Sequence, residues 1–369
     1  MNIGHKLRVA REGSGYTLRQ VSAQAEVGES TLSDLENSKR EPKFAQLSRL
    51  ADIYKRPIEF FLMDDIPGEN VMLWRDTPST EDEKKKTEAE FRQLCEQYHR
   101  LEVLMGEAKK PKLPGPEVSE PGEFGFQQAD NFARKVQNQF CLGDIPSTSL
   151  KQVLEENLYV KIFHLDFAGS AISTKSEEFG SAILLNRNNR LWRRNYDLAH
   201  ELFHVLTWDI FRKAPLSANK PSEFEEKLAN AFASRLLLPT DSVRERIDQV
   251  KGSGTTVTLE QLDEVAREFG VSLDALLWRM LHLYGTPAEE IQKYIQQGSQ
   301  LKTSRPPRLS DEPDKLPERF CSLAIRALRD GKLSLMQFKK YMDLSYKEAE
   351  GYLTDEEGLT DEKISISAA

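Results

Sequence analysis

Apolar residues recur at three- and four-residue spacing along most of the chain, which is the periodicity of amphipathic helices. Within residues 1–62, Gly and Pro divide this pattern into five short segments. Helices this short are not stable alone, so the pattern predicts one small five-helix bundle. Thr17 is the predicted N-cap of the second helix and Gly28 is its predicted C-cap.

Two segments in the middle of the chain break the helical pattern. "YVKIFHLDF" (159–167) and "SAILLNR" (181–187) are apolar and rich in β-branched residues, so they predict two strands of a small sheet. Residues 63–80 are predicted to be irregular, and residues 315–354 to form three short helices before a loose tail. The predicted fold class is therefore α+β and mostly helical.

A charged helix predicted over residues 81–107 carries a seam of larger apolar side chains. The seam consists of Phe91, Leu94, Tyr98, Leu101 and Met105. Its alternating spacing resembles a heptad pattern, but it covers only about two heptads, fewer than a convincing coiled coil requires. The seam predicts either a dimer contact or a helix lying on the surface of a domain.

Composition shifts divide the chain into candidate domains. Residues 109–125 are rich in Pro, Gly and charge, and residues 301–314 are polar and contain proline, so both predict linkers. The expected division is a DNA-binding bundle at 1–65, a helical connector and linker at 66–124, a central domain at 125–298, a second linker at 299–314 and a C-terminal helical segment with a loose tail at 315–369.

Bulk composition limits the classes of function. The formal net charge is −8, so any nucleic-acid contact must come from a local patch. The three cysteines are far apart, which argues against a disulfide framework or a cysteine-rich metal site and fits a reducing compartment. No apolar run reaches membrane-spanning length, and the first residues have no apolar signal-peptide core. We therefore expect a cytoplasmic protein without a membrane partner.

The N-terminal bundle contains a helix, a short turn around Gly28 and a second helix, which is a helix-turn-helix signature. In that geometry the second helix enters the major groove of DNA. Residues 1–62 contain ten Lys/Arg and eight Asp/Glu, so the bundle is only weakly basic and a bundle for protein contacts remains the alternative. The predicted DNA contacts are Gln20, Glu29, Ser30, Thr31, Ser33, Asp34, Asn37, Lys39 and Arg40.

The run "TLRQVSAQAEVGESTLSDLENSKREPKFAQLSRLADIY" resembles the Cro/repressor-like (XRE) helix-turn-helix family. The resemblance covers residues 3–62. It implies binding to double-stranded DNA at an operator, as a homodimer on a two-fold site.

Residues 198–207 read "LAHELFHVLT". Four residues advance a helix slightly more than one turn, so His200 and His204 project from one face and could chelate one Zn²⁺ ion. Glu201 lies close enough to take a proton from a water on the metal, the arrangement of H-E-x-x-H metallopeptidases. The alternative is a buried helix with two hydrogen-bonded histidines. A third ligand is needed, and the spacing leaves three glutamates of the next predicted helix open: Glu223, Glu225 and Glu226.

"YDLAHELFHVL" followed by "EEKLANAFASRLLLP" resembles the ImmA/IrrE family of zinc metallopeptidases, over residues 125–290. The resemblance implies a zincin-like fold, with His200, His204 and Glu226 as zinc ligands, Glu201 as catalytic base and Glu225 as the fallback ligand. Asp197 stands where the family commonly has Thr. Phe203 stands where Gly is common, and we expect it to narrow the cleft.

Together the two resemblances imply a transcriptional regulator whose zinc metalloendopeptidase domain cleaves a repressor-type helix-turn-helix protein. Two alternatives remain: a non-catalytic transcription factor whose peptidase-like domain senses a metal or ligand, and an antitoxin-like regulator. Transition-state stabilisation beyond zinc requires a further donor. The sequence offers four candidates without deciding among them: Tyr196, Arg194, His282 and Tyr284.

Overall fold

A computed structural model describes residues 2–63, 70–212, 220–304 and 312–354. None of the helices in these ranges is long and apolar enough to cross a membrane. The strands are β1 (Met72–Arg75), β2 (Lys161–Leu165), β3 (Ala171–Ser176) and β4 (Gly180–Asn186). Single 3₁₀ turns occur at Pro121–Glu123 and Pro146–Thr148. The α-helices are α1 (Ile3–Gly13), α2 (Leu18–Ala25), α3 (Glu29–Glu36), α4 (Phe44–Ile53), α5 (Ile58–Leu62), α6 (Glu81–Leu104), α7 (Phe126–Gln139), α8 (Leu150–Glu156), α9 (Leu191–Leu206), α10 (Trp208–Phe211), α11 (Glu223–Leu237), α12 (Thr240–Lys251), α13 (Leu259–Glu268), α14 (Leu273–Tyr284), α15 (Ala288–Ser304), α16 (Glu318–Arg329), α17 (Leu335–Met342) and α18 (Tyr346–Thr354).

The first five helices form a bundle around their own hydrophobic core, which confirms the predicted N-terminal bundle. Thr17 is the N-cap of α2, and its side chain forms a reciprocal capping box with Gln20. The predicted C-cap at Gly28 is wrong. Glu26 takes the left-handed conformation that ends α2, and Gly28 is extended and begins α3 as its N-cap.

The sheet has four strands in the order β1-β3-β4-β2. Strands β2 and β4 are the two predicted ones and pair in parallel, whereas β3 pairs antiparallel with both β1 and β4. Residues 63–80 are not irregular throughout, because β1 lies within them. It pairs residue by residue with β3 over residues 171–174. The connector between the two predicted domains therefore supplies an edge of the sheet.

Helices cover both faces of the sheet. Side chains alternate between the two faces along each strand, so each strand contributes to two cores. Ile183 and Leu185 of β4 belong to the core that includes α9 and α11. Ala182 and Leu184 of the same strand belong to a second core that includes α6 and α16. The C-terminal helices α16–α18, which match the three short helices predicted, thus close the second face of the sheet.

The apolar seam of α6 lies in this second core. Phe91 and Tyr98 are buried and meet the ring of Phe163 from β2 edge to face, with centroids 6.2 and 6.0 Å apart. Tyr98 also meets Phe320 of α16 at 5.4 Å. Since the seam packs within its own chain, it gives no support to a homodimer, which rests on the family resemblance alone.

Helix α6 also contacts the N-terminal bundle through ion pairs. Arg56 lies 3.6 Å from Glu96, and Arg100 lies 3.6 Å from Glu59. One helix thereby touches both the DNA-binding bundle and the sheet. The predicted domain boundaries stay predictions. The boundary at 65, most of the second linker and the loose tail fall on residues 64–69, 305–311 and 355–369, outside the described residues.

Candidate functional site

Helix α9 carries the H-E-x-x-H residues in the interior of the molecule. It is 16 residues long and has an apolar side packed against β3, β4 and α11. His200 is fully buried, and Glu201 and His204 are only 1% and 2% exposed. The helix ends at Leu206 and its C-cap is Thr207, whose hydroxyl donates to the carbonyl of Phe203 at 2.7 Å. His200, Glu201 and His204 are therefore held where water is largely excluded.

The predicted metal ligands converge on one point. His200 Nε2 and His204 Nε2 lie 3.3 Å apart. Glu226, in the first turn of α11, places Oε2 at 3.1 Å from His200 Nε2 and Oε1 at 3.5 Å from His204 Nε2. Donor atoms of all three residues lie within 4.8 Å of one another. This set of two imidazoles and one carboxylate could hold a metal ion.

The outer nitrogens of both histidines meet acceptors. His200 Nδ1 lies 3.1 Å from Asn230 Oδ1, and His204 Nδ1 lies 3.0 Å from Glu225 Oε1. An ionised carboxylate and an amide oxygen can only accept, so these contacts place hydrogens on Nδ1 and leave the Nε2 lone pairs facing each other. Two lone pairs at this distance repel unless a proton or a cation lies between them. The donor set therefore fits a cation, and the outer contacts fix the rings in the required tautomer.

Glu225 binds the side chains of Arg212 and His204. Its Oε1 accepts from Arg212 Nη2 at 2.6 Å in addition to its contact with His204. The carboxylate is buried, and it is absent from the converging donor set. In this arrangement Glu225 orients His204, while Glu226 faces the position of the ion.

The pKa values of these residues follow from burial and from these contacts. Burial lowers the pKa of His200 to about 4. Burial also acts to lower the pKa of His204, but hydrogen bonds to Glu225 and Glu226 outweigh it and raise that pKa to about 9. Burial would raise the pKa of Glu226, yet its hydrogen bonds with both histidines hold the pKa well below its usual range. The hydrogen bonds within the cluster thus oppose the effect of burial on His204 and Glu226.

Glu201 has one oxygen held and one oxygen free of hydrogen bonds. Ser173 Oγ donates to Oε2 at 2.6 Å, because the alternation along β3 turns Ser173 towards α9. Oε1 is buried and has no hydrogen-bond partner within the described part of the chain. Burial raises the pKa of Glu201 to about 7. A carboxylate with a free oxygen beside a cation-binding cluster is suited to act as a general base.

A cavity of about 400 Å³ opens next to the cluster. Residues 74–77, at the end of β1, form one wall, and His200, Glu226 and Asn230 form another. Phe203 does not line this cavity, so the expectation that it narrows the cleft is wrong. Phe203 is fully buried and packs against the rings of Phe124, Phe211 and Phe232, so its ring fills the core behind α9.

The four candidate donors for transition-state stabilisation are absent from the residues that line the cavity. Tyr196 donates its hydroxyl to the carbonyl of Asn230 at 3.1 Å. Arg194 donates to the carbonyl of Asn189 at 2.5 Å. His282 and Tyr284 lie at the end of α14. The cavity is instead lined by Arg75, Arg193 and Lys220, which the sequence pattern did not single out.

The DNA-binding residues predicted from the sequence lie on α3, in the segment after it and at the start of α2. Three of them, Thr31, Ser33 and Asp34, are half-buried. Two contribute to local structure: Gln20 closes the capping box of α2, and Asn37 Oδ1 accepts from Arg8 at 2.5 Å. The exposed members are Gln20, Glu29, Ser30, Asn37, Lys39 and Arg40. The surface that a helix-turn-helix presents to DNA is therefore accessible.

Two family models match the chain. Residues 2–59 match a model described as a helix-turn-helix domain, and residues 155–281 match a peptidase model described as an IrrE N-terminal-like domain. The chain joins a helix-turn-helix domain to an IrrE N-terminal-like domain. No curated protein matches the chain. The fusion inferred from the two sequence resemblances is confirmed.

The IrrE N-terminal-like match contains β2–β4, α9 and α11, and so includes the whole converging donor set and Glu201. Residues 155–281 therefore form a metallopeptidase-like domain. Strand β1 and α6 lie outside the match, although β1 completes the sheet and one wall of the cavity.

Proposed function

We propose that the protein is a DNA-binding regulator whose IrrE N-terminal-like domain is a zinc metalloendopeptidase that makes a limited cut in a repressor-type helix-turn-helix protein. The observation that carries the proposal is the convergence of His200 Nε2, His204 Nε2 and Glu226 beside a cavity, with Glu201 next to them. In the same chain, an exposed helix-turn-helix surface provides for recognition of operator DNA.

In this proposal His200, His204 and Glu226 would hold the zinc ion. Zinc supplies Lewis acidity and brings the pKa of a water close to 7. Asn230 and Glu225 hold the two imidazole rings through their Nδ1 hydrogens. These contacts of the outer ring nitrogens would increase the affinity of the site for the metal without contacting the ion.

Glu201 performs the proton transfers. Its Oε1, which has no hydrogen bond to the described residues, accepts a proton from the attacking water, while Ser173 holds Oε2. The water oxygen forms a bond to the peptide carbonyl carbon, and the C–N bond then breaks. Glu201 returns the proton to the leaving amine, so the carboxylate is regenerated. The products are a new amine and a new carboxylic acid, which releases its proton to solvent.

In this proposal the helix-turn-helix domain determines the DNA site at which the peptidase meets its substrate. Residues on α3 read base edges, while Lys39 and Arg40 contact the phosphate backbone. Binding at an operator places the peptidase next to a repressor bound at or near the same site. Tethering raises the effective concentration of that partner, so a weak contact with the substrate is sufficient. The boundaries proposed for the DNA-binding and peptidase domains are 1–65 and 125–298.

Two measurements test the proposal. The first is zinc content, in the wild type and in His200→Ala, with His282→Ala as the matched control. We expect one zinc per chain in the wild type and in the control, and its loss in His200→Ala. Absence of zinc in all three proteins would exclude the metal site.

The second measurement is cleavage of repressors encoded near the gene, with the zinc-loaded wild type and with Glu201→Gln. The proposal requires a single cut by the wild type and none by the variant. Zinc binding without cleavage under any inducing condition would instead favour a metal-sensing transcription factor. A partner that binds the C-terminal helices without being cut would favour the antitoxin-like alternative.

A further inference from the structure

The cavity beside the metal cluster is lined by an arginine that lies outside the residues matched by the peptidase model. Arg75, the last residue of β1, lines the same cavity as His200 and Glu226. Its side chain is only 13% exposed. A guanidinium in so confined a place acts on a bound ligand more strongly than a solvated one, because little water screens its charge.

Two residues of α9 contact this guanidinium. Arg75 Nη1 lies 3.1 Å from Asp197 Oδ1, and the guanidinium carbon lies 5.4 Å from the centroid of the Tyr196 ring. Asp197 is fully buried and stands three residues before His200. Arg75 therefore contacts the same helix that presents two of the metal ligands, through an ion pair and a ring contact.

Asp197 is shared between two arginines that line the cavity. Asp197 also accepts from Arg193, Nε to Oδ2 at 3.2 Å, so two guanidiniums share one buried carboxylate. Arg193 has a second carboxylate within ion-pair distance, that of Asp76 at 3.1 Å. For Arg75, Asp197 is the one such carboxylate in the described part of the chain. The two guanidiniums and the two carboxylates balance in charge, so the position of the Arg75 guanidinium on the cavity wall, and not a net positive charge, is what it brings to the metal cluster.

We propose that Arg75 is a catalytic residue, whose guanidinium stabilises the negative charge that develops on the carbonyl oxygen of the scissile peptide. As the water oxygen bonds to the carbonyl carbon, the π electrons of the C=O bond move onto that oxygen. They return when the C–N bond breaks and the amine leaves with the proton from Glu201. The inference rests on the proposed peptidase function and supplies the donor that the sequence left undecided.

A cation that acts on developing negative charge should also favour anionic ligands of the metal over neutral ones. The test uses protein loaded with cobalt(II), whose visible absorption reports ligand binding, titrated with azide as the anion and with imidazole as the neutral ligand. In Arg75→Gln we expect the affinity for azide to fall by about tenfold or more, with that for imidazole changed by less than about twofold. Arg187→Gln, which removes an arginine outside the cavity that pairs with Glu312, should leave both affinities unchanged.

The double variant Arg75→Gln/Asp197→Asn guards against an unpaired buried carboxylate, which by itself could unfold the protein or repel anions. It should keep the weakened affinity for azide. An equal loss of affinity for both ligands, no loss for either, or recovery of azide binding in the double variant would overturn the role of Arg75. A wild type without a cobalt spectrum that depends on His200 would instead refute the proposed metal site itself.

Once a cleavable partner protein is identified, Arg75→Gln should lower kcat by about 10²–10³-fold, while KM changes by only a few fold. Arg75→Lys should recover part of the loss because it keeps the charge. A change confined to KM would assign Arg75 to substrate binding and overturn the catalytic role.

Discussion

Ser173 Oγ, on β3, donates a hydrogen bond of 2.6 Å to Oε2 of Glu201, on α9. This contact connects the centre of the sheet to the residue proposed to move protons. Because the hydroxyl stabilises the ionised carboxylate, it lowers the pKa of Glu201 against the opposite and larger effect of burial.

Replacing Ser173 with Ala should therefore raise the pKa of Glu201. A hydrogen bond to a charged group contributes about 1.5–3 kcal/mol, so the shift should be about one to two pH units. The proposed base must be ionised, and the acid limb of the cleavage rate should move to higher pH by that amount. The control is Thr174→Val, on the same strand, whose hydroxyl donates to the carbonyl of Val71. An unchanged acid limb in Ser173→Ala would remove Glu201 from the role of base.

Glu225 and Glu226 should differ in their effect on zinc affinity, measured by competition with a chelator. Glu226→Gln removes an ion-facing carboxylate and should abolish stoichiometric binding. Glu225→Gln loosens His204 and should weaken binding by about 10–100-fold. The exposed Glu223, which pairs with Lys227, supplies the control Glu223→Gln. The reverse order, with Glu225→Gln the more damaging, would make Glu225 the ligand.

His164 should make the sheet sensitive to acid. It is buried in β2, and burial lowers its pKa to about 3. An unfolded chain protonates the same imidazole near pH 6.5, so between these values the unfolded state binds more protons. The free energy of unfolding should therefore fall as the pH drops from 6.5, by up to about 1.4 kcal/mol per pH unit from this residue.

The matching experiment compares the wild type with His164→Gln in urea at pH 7 and pH 5, with excess chelator to keep metal out. All four tryptophans follow residue 73, so their fluorescence reports on the part of the chain outside the DNA-binding bundle. We expect the wild type to lose about 2 kcal/mol more than the variant over this interval. The exposed His5 provides the control His5→Gln. Equal losses in wild type and His164→Gln would contradict the prediction.

On DNA, Lys39→Ala and Arg40→Ala should weaken binding about equally for all sequences. Each variant that removes a bond to one phosphate should reduce the slope of log affinity against log salt by about 0.9. Ser30→Ala, on the exposed start of α3, should instead change the preferred sequence. Fluorescence anisotropy on operators selected from random DNA measures both effects, with Lys151→Ala on α8 as the control. Salt slopes identical to the wild type would place the DNA surface elsewhere.

The sequence allowed a metal cluster to be predicted because the chemistry of its first residues is local. His200, Glu201 and His204 lie within five residues of one helix, where the periodicity alone fixes their relative directions. Glu226 needed the family resemblance to separate it from Glu225, since adjacent residues on a helix differ only in direction. In the structure the two carboxylates lie on different sides of His204.

Arg75 and Ser173 were not predicted, because they meet the site only through sheet pairing. β1 has four residues and no alternating pattern that would distinguish it from a loop, and β3 reads "AISTKS", in which four of the six residues are polar. For Phe203, by contrast, a role in the cleft was predicted that the structure does not bear out. A departure from a family pattern suggests a change in the cleft, but the ring points into the core.

Strand β1 has a consequence for how this protein can be recombined. Repressors are often treated as interchangeable modules, in which a DNA-binding head is exchanged for another. Here a chimera joined anywhere between residues 76 and 124 would replace not only the head but also β1 and its Arg75. The recipient would keep all of its proposed zinc ligands and still present β3 as a bare sheet edge. A functional exchange must therefore be joined before residue 72.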